Sequence, residues 1–342
     1  MSVDPRDPSA VAEALCTWAA DHFGGVVSVV GTPVAIGAGF DSYIHFVDLS
    51  GEQLPVAWRA PLVVRLLPSI DRVAQSHREA AVQRWAAAGG YPAPLVLEVL
   101  GPDDAFGLPA QVMERAPGTM MLDALSARPW RTLALVRQLA GLQLALHALP
   151  LDGWPSSTEP QALLDQRLAL PRRAAVALDD AALASASERA TELGSTATAG
   201  PVVVCHGDFH PLNVVVSGDR GSVIDWTDAG LGPREADVSR TLLLFHVASI
   251  AASSSIERVA LRIAGPWLAT RYRRAYEAGA RLDEGRLRAW EALHALHGWA
   301  QVATLHAGGF SGESSSEQGR IPLEVGDYLQ GRFEEAMGHR PT

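Results

Sequence analysis

The stretch Val203-Val204-Cys205-His206-Gly207-Asp208-Phe209-His210-Pro211-Leu212-Asn213-Val214-Val215-Val216, with Gly221-Ser222-Val223-Ile224-Asp225-Trp226 soon after it, constrains this chain more than any other. Apolar, β-rich runs at Pro201 to Cys205, Leu212 to Val216 and Ser222 to Ile224 predict short strands, with a loop pinned between the first two. Pro211 fixes its own φ and biases His210 toward extended geometry, so that loop is stiff. An Asp, an Asn five positions on and a second Asp closing the next β run are the groups phosphoryl transfer needs. One carboxylate orients an attacking hydroxyl, while an amide oxygen and another carboxylate hold Mg²⁺ against nucleotide phosphates.

The segments "HGDFHPLN" and "VIDWTDAGLGPREAD" resemble those of the aminoglycoside phosphotransferase-like family, which also takes in macrolide phosphotransferases and choline kinase-like enzymes. The resemblance implies an α+β, two-lobed, protein-kinase-like fold. Its N-lobe is a small antiparallel sheet with one main helix, and its C-lobe is larger and mainly helical. It implies Asp208 as catalytic base, Asn213 and Asp225 as Mg²⁺ ligands, and Asp237 with His206 as supports of the catalytic loop. Gly207 stands where protein kinases carry an Arg, and the DFG-type segment reads Asp225-Trp226-Thr227.

Upstream, features follow in the order a nucleotide-binding lobe requires. Ala35 to Val47 reads as a hairpin whose Gly37 and Gly39 would let backbone N–H groups approach phosphates, with Ser42 adding a hydroxyl donor. Pro61 to Leu67 is a strand with Arg65 in its apolar middle, and Asp71 to Ala88 is a helix carrying Glu79. These two would form the phosphate-aligning ion pair of kinase-like folds. The usual cation there is Lys, and this chain contains none, all 28 basic residues being Arg. A guanidinium is a planar fork and an ammonium a point charge, so the exchange is not neutral. The alternative, that Arg65 snorkels from an edge strand and Glu79 is a solvated charge, stays open. Ala110 to Glu114 leads into an interlobe hinge where backbone near Met113 and Arg115 would read the purine of ATP. GTP is not excluded.

At 342 residues and 48% hydrophobic content the chain can bury a substantial core, divided here as residues 1–115 for nucleotide and 116–342 for catalysis and substrate. Val11, Ala14, Leu15 and Trp18 predict an amphipathic N-terminal helix. Helical periodicity covers Leu133 to Ala148, Gln161 to Glu192, Glu235 to Ala251, Ile256 to Ala278, Glu284 to Ala307 and Val325 to Met337. Gly308 to Ser316 reads as a substrate flap. A formal charge of −10 argues against nucleic acid and suits a cationic, hydroxylated small molecule. Asp228, Glu235, Asp283, Glu284 and Glu291 are the acidic candidates for that contact. Two distant cysteines, no basic leader and no apolar run long enough to span a bilayer point to a cytoplasmic protein without membrane partners.

The acceptor expected is an aminoglycoside or related antibiotic, with a macrolide or a metabolic alcohol (choline, amino sugar or homoserine type) as alternatives. Two other classes compete. His206, Asp208, His210 and Asp225 could serve a metal-dependent hydrolase, or the chain could be a kinase-shaped binding module without turnover.

Overall fold

The computed structural model describes residues 3–39, 42–155, 162–251, 255–308 and 321–338. In chain order the first elements are α1 (Pro8–Phe23), β1 (Ser28–Gly39), β2 (Ser42–Ser50), β3 (Leu62–Leu66), α2 (Val73–Ala88), β4 (Val96–Leu100) and β5 (Ala110–Glu114). Then come β6 (Thr119–Met120), α3 (Met121–Ala127), α4 (Thr132–His147), α5 (Ala162–Ala177), α6 (Ala181–Thr191), α7 (Gly194–Ala197) and β7 (Val203–Cys205). The last are β8 (Val214–Ser217), β9 (Arg220–Val223), β10 (Gly230–Gly232), α8 (Arg234–Ala251), α9 (Ser255–Glu277), α10 (Glu284–His306) and α11 (Leu323–Ala336). Two compact units result. One joins Met1–Thr119 to Gly153–Ser157 and Val215–Thr227, and the other holds Met120–Asp152, Thr158–Val214 and Asp228–Thr342.

In the first unit α1 begins where Asp7 accepts the Ser9 N–H and Pro8 occupies the first turn, a position that loses no hydrogen bond. Its Val11, Ala12, Leu15 and Ala19 are buried, whereas the expected Ala14 and Trp18 lie beside that face and are only partly covered. The five strands form an antiparallel sheet in the order β1-β2-β3-β5-β4. Strand alternation sends Val47, Leu49, Leu62, Val64, Leu66 and Val112 into the core with α1. Each such side chain contributes about 1.5–3 kcal/mol when fully buried. The opposite face carries Val63, Arg65, Gln111 and Met113, and α2 lies there: Gln111 donates to the Ser76 carbonyl at 2.9 Å, and Ala80 packs on Met113. Arg65, opposite Ile44 on β2 and Gln111 on β5, is therefore in the sheet interior and not on an edge.

Residues 215–227 return to this unit after a long excursion. Gly118 makes room for them: it has φ +123°, and a Cβ there would sit 2.1 Å from the Val216 carbonyl oxygen. Further along, the Val223 N–H donates to the Pro92 carbonyl at 2.8 Å, and buried Trp226 meets Tyr91 edge-on.

The second unit is helical around a core of α5, α6, α10 and α11 side chains that includes Trp290, Leu293, Leu296 and Phe333. The helical periodicity expected over Gln161 to Glu192 is divided between α5 and α6. Asp179 takes φ +51° and Asp180 caps α6 by accepting from the Ala182 and Leu183 N–H groups, so the Asp-Asp pair is a break, as N-cap chemistry favours. Of the expected flap, residues 309–316 lie outside the described residues. Two short strands, β7 and β10, pair antiparallel with Cys205 opposite Gly230 and hold the segment that follows β7. Among the described residues no helix is long and apolar enough to cross a membrane.

Candidate active site

The loop after β7 is clamped where it leaves the strand. Asp237, in the first turn of α8, is fully buried, and its carboxylate accepts the N–H groups of His206 at 3.0 Å and Gly207 at 2.7 Å. His147 Nε2 adds a third contact at 3.1 Å, and the Tyr276 hydroxyl lies 2.6 Å from His147 Nδ1. Burial pushes the Asp237 carboxyl up, but His147 and His206 outweigh it and hold the group below the usual range. Gly207 has φ +80°, and a Cβ on it would lie 2.2 Å from the Asp228 carbonyl oxygen. A side chain there would have to displace that carbonyl, so the position calls for glycine.

Asp208 follows immediately, its side chain 29% exposed. Arg240 Nε and Nη2 both reach Oδ1 at 3.1 Å, and Oδ2 receives His210 Nε2 at 3.0 Å and Asn213 Nδ2 at 3.3 Å. Desolvation pushes this carboxyl up; Arg240, then His210 and Arg167, hold it well below its ordinary value. Asp208 is thus a fixed, ionised acceptor, suited to orienting a hydroxyl. Asn213 is set by the turn Pro211–Asn213 and donates Nδ2 to the Asp208 carbonyl at 2.8 Å. His210 Nδ1 accepts the Leu212 N–H at 3.2 Å, so the ring also caps that turn.

In the first unit Arg65 and Glu79 form the expected pair: Nη1 meets Glu79 Oε2 at 2.8 Å, with side chains 11% and 1% exposed. Gln75 steadies the other carboxylate oxygen at 2.7 Å. Arg65 Nε donates to Ser42 Oγ at 3.1 Å and Nη2 to Thr227 Oγ1 at 3.1 Å. Asp225 stands 3.5 Å from Nη2 and accepts the Thr227 hydroxyl at 2.7 Å. Gly39 faces Ser42 across a register shift between Ile36 and Gly39, and Gly37 lies within that irregular stretch of β1; residues 40 and 41, at the tip, are outside the described residues.

The hinge backbone is partly committed. Met113 sits inside the sheet opposite Val63 and Val96, and the Arg115 N–H donates to the Pro61 carbonyl at 2.9 Å. The next N–H, of Ala116, has no backbone partner among the described residues. The Arg115 guanidinium lies over the Phe46 ring, 5.0 Å from its centroid.

The acidic candidates are bound internally. Asp228 is held by Arg167 at 2.8 Å and Gln166 at 3.1 Å. Glu235, 2% exposed, accepts from the Asp283 N–H and from Arg286 Nη2. Glu291 pairs with Arg332, Glu284 with Arg273, and Asp283 caps α10. These carboxylates are neutralised in place, and Glu235 in particular joins α8 to the start of α10. On α10, buried His294 and partly buried His297 are bonded to the Ala236 and Arg167 carbonyls. Burial, then Arg167 and Arg240, pushes His297 down to about 3, so it is neutral at physiological pH.

The donor set fits a magnesium ion. Each unit contributes its own oxygen: Asn213 Oδ1 in the second and Asp225 Oδ2 in the first have no hydrogen-bond partner among the described residues, and amide and carboxylate oxygens are what this hard cation selects. Among those residues no three His, Cys, Asp or Glu are placed to share an ion. Sequence reasoning missed Arg240, Thr227 and Arg167. The first was legible, because Arg240 stands three residues after Asp237 and shares its helix face. Nothing in the sequence links Arg167 to Gly207, whose carbonyl it contacts at 2.8 Å.

Three comparisons bear on this geometry. A relative from Streptomyces fradiae, an aminoglycoside 3'-phosphotransferase, is 32% identical over 178 residues, 47% of this chain and 61% of the relative. The chain thus spans about three fifths of that protein's length. A thermostable mutant of aminoglycoside phosphotransferase APH(4)-Ia, in ternary complex with ADP and hygromycin B, superposes with a TM-score of 0.60 at 17% identity, covering 95% of this chain and 98% of that one. Macrolide 2'-phosphotransferase type I gives 0.55 at 16%, covering 97% and 99%. These structural likenesses are of fold. The model of the phosphotransferase enzyme family matches residues 34–299, and the chain belongs to that family.

Proposed function

We propose that this protein transfers the γ-phosphoryl group of ATP to a hydroxyl of a small molecule of the aminoglycoside class. The observation that carries the reading is Asp208: an ionised carboxylate on a stiff loop, fixed at both oxygens and still reachable from solvent. In this role Asp208 orients the acceptor hydroxyl and takes its proton late, since a loose transition state needs little prior deprotonation. Arg65, held by Glu79, aligns nucleotide phosphates and offsets charge on them. Asn213 and Asp225 would hold Mg²⁺, which when bound supplies charge neutralisation at the phosphates. Gly37, Gly39 and Ser42 would lie over the phosphates, and the hinge from Met113 to Ala116 would read the purine. GTP is the nucleotide alternative. The aminoglycoside assignment draws support from the Streptomyces fradiae relative and from a net charge of −10, which favours a cationic acceptor. Such a role is cytoplasmic, where ATP is.

The test is ADP release from purified protein with ATP and Mg²⁺ against aminoglycosides, macrolides and small metabolic alcohols. Asp208→Asn is expected to lose transfer by at least about a hundredfold while binding nucleotide as the wild type does. Full turnover in that variant removes Asp208 from the mechanism. Turnover only with another acceptor class removes the aminoglycoside assignment.

A further inference from the structure

We propose that Thr227 is a positioning residue that sets the Asp225 carboxylate for a divalent cation. In the same arrangement Arg65 replaces the lysine of kinase-like folds because only a guanidinium can hold Thr227 and Glu79 together. This rests on the reading of Asp225 as an ion ligand.

The hydrogen bonds have a fixed direction. Arg65 has only donors, so its Nη2 donates to Thr227 Oγ1 at 3.1 Å. The threonine hydroxyl then spends its single proton on Asp225 Oδ1 at 2.7 Å. Oδ1 thus faces Arg65, 3.5 Å away, and Oδ2 has no hydrogen-bond partner among the described residues. The path runs from a buried anchor to an open ligand, with Glu79, Arg65 and Asp225 side chains 1%, 11% and 46% exposed.

The backbone supplies an independent reason for such a hold. Asp225 has φ +63°, in the left-handed region that residues with a Cβ rarely enter. A half-exposed side chain on an unfavourable backbone needs a partner to keep one orientation, and Thr227 is that partner.

Arg65 serves three neighbours with three different nitrogens: Nε to Ser42, Nη1 to Glu79 and Nη2 to Thr227. A lysine ends in one nitrogen, which cannot occupy the Nη1 and Nη2 positions at once. Lysine at 65 would keep the Glu79 pair and drop Thr227, leaving Asp225 unfixed. Arg65 and Thr227 are thus one device, and Arg65→Lys is not a conservative change here.

The experiment is calorimetric titration of ADP into wild type, Thr227→Val, Thr227→Ser, Arg65→Lys and Arg65→Lys/Thr227→Val, each with excess Mg²⁺ and again with EDTA. Removing a hydrogen bond to a charged group should weaken ADP binding with Mg²⁺ about tenfold in Thr227→Val and leave binding in EDTA within about twofold. The apparent KM for Mg²⁺ should rise in parallel, the acceptor KM should hold, and Thr227→Ser should restore both. In the Arg65→Lys background, Thr227→Val should add less than about twofold, since the link is already broken. Wild-type Mg²⁺ dependence in Thr227→Val overturns the inference; so does failure of Thr227→Ser to rescue, or effects that multiply in the double variant. Wild-type protein that binds no ADP under either condition overturns the phosphotransferase reading itself, and this inference with it.

Discussion

Replacing Asp237 with Asn tests whether the catalytic loop is held by a buried charge. The change keeps the shape and removes one acceptor oxygen. In the wild type three donors converge on the carboxylate: the Gly207 N–H on Oδ1, and the His206 N–H with His147 Nε2 on Oδ2. An asparagine can satisfy one side only, so its NH₂ must face at least one backbone N–H. Each hydrogen bond to a charged acceptor is worth about 1.5–3 kcal/mol, and each stranded buried donor costs about 1–3 kcal/mol. The neutral amide regains part of this by avoiding the burial penalty of a charge. That penalty is the smaller effect, because the Asp237 carboxyl sits below its ordinary range despite complete burial. The net expectation is about 3–5 kcal/mol of lost stability, as for other broken buried pairs. Transfer should fall about a hundredfold as the loop loses its register, since displacements near 1 Å cost that much. Urea unfolding and kcat measure the two effects. The sign with pH is fixed as well. A depressed folded pKa gives stability that is present above the ordinary carboxylate value and lost as pH falls through the folded one, so below about pH 4 the wild type should lose its advantage over Asp237→Asn. A variant within about 1 kcal/mol and twofold in kcat would refute the brace.

Gly207→Ala should leave a folded protein that loses transfer by about a hundredfold or more, read as kcat beside a circular-dichroism melt; the added Cβ meets the Asp228 carbonyl oxygen, and neither backbone can yield. Arg286→Met strands the Glu235 carboxylate with one N–H partner, and urea unfolding should show about 2–4 kcal/mol of lost stability with kcat unchanged. An unaltered unfolding midpoint would show that Glu235 is solvated in the native state.

Local signals carried much of this architecture. The alternation of β2 and β3 and the apolar spacing of α4, α8, α10 and α11 are short-range patterns, and the elements lie within a few residues of their expected ends. The Arg65–Glu79 pair was legible through the strand-cation and helix-Glu pattern of kinase-like folds, and the two side chains meet at 2.8 Å. Acceptor contacts were not legible. A carboxylate in a helical pattern looks the same whether it faces solvent or an arginine far along the chain, and Glu235, Glu291 and Asp228 all proved to face arginines. That residues 215–227 fold with the first unit was not legible either, because only three-dimensional contact reveals it.

That return has a consequence for synthesis. Arg65 and Thr227 are 162 residues apart, so when the five-stranded sheet has left the ribosome its central cation still lacks two of its neighbours. Translation runs at about 5–20 residues per second and folding begins from the N-terminus, so the sheet spends seconds with an incompletely satisfied guanidinium. Its final stability is conferred late, by a short piece of chain threaded in after most of the helices have been made, and nascent chains arrested before residue 215 should remain protease-sensitive around β3.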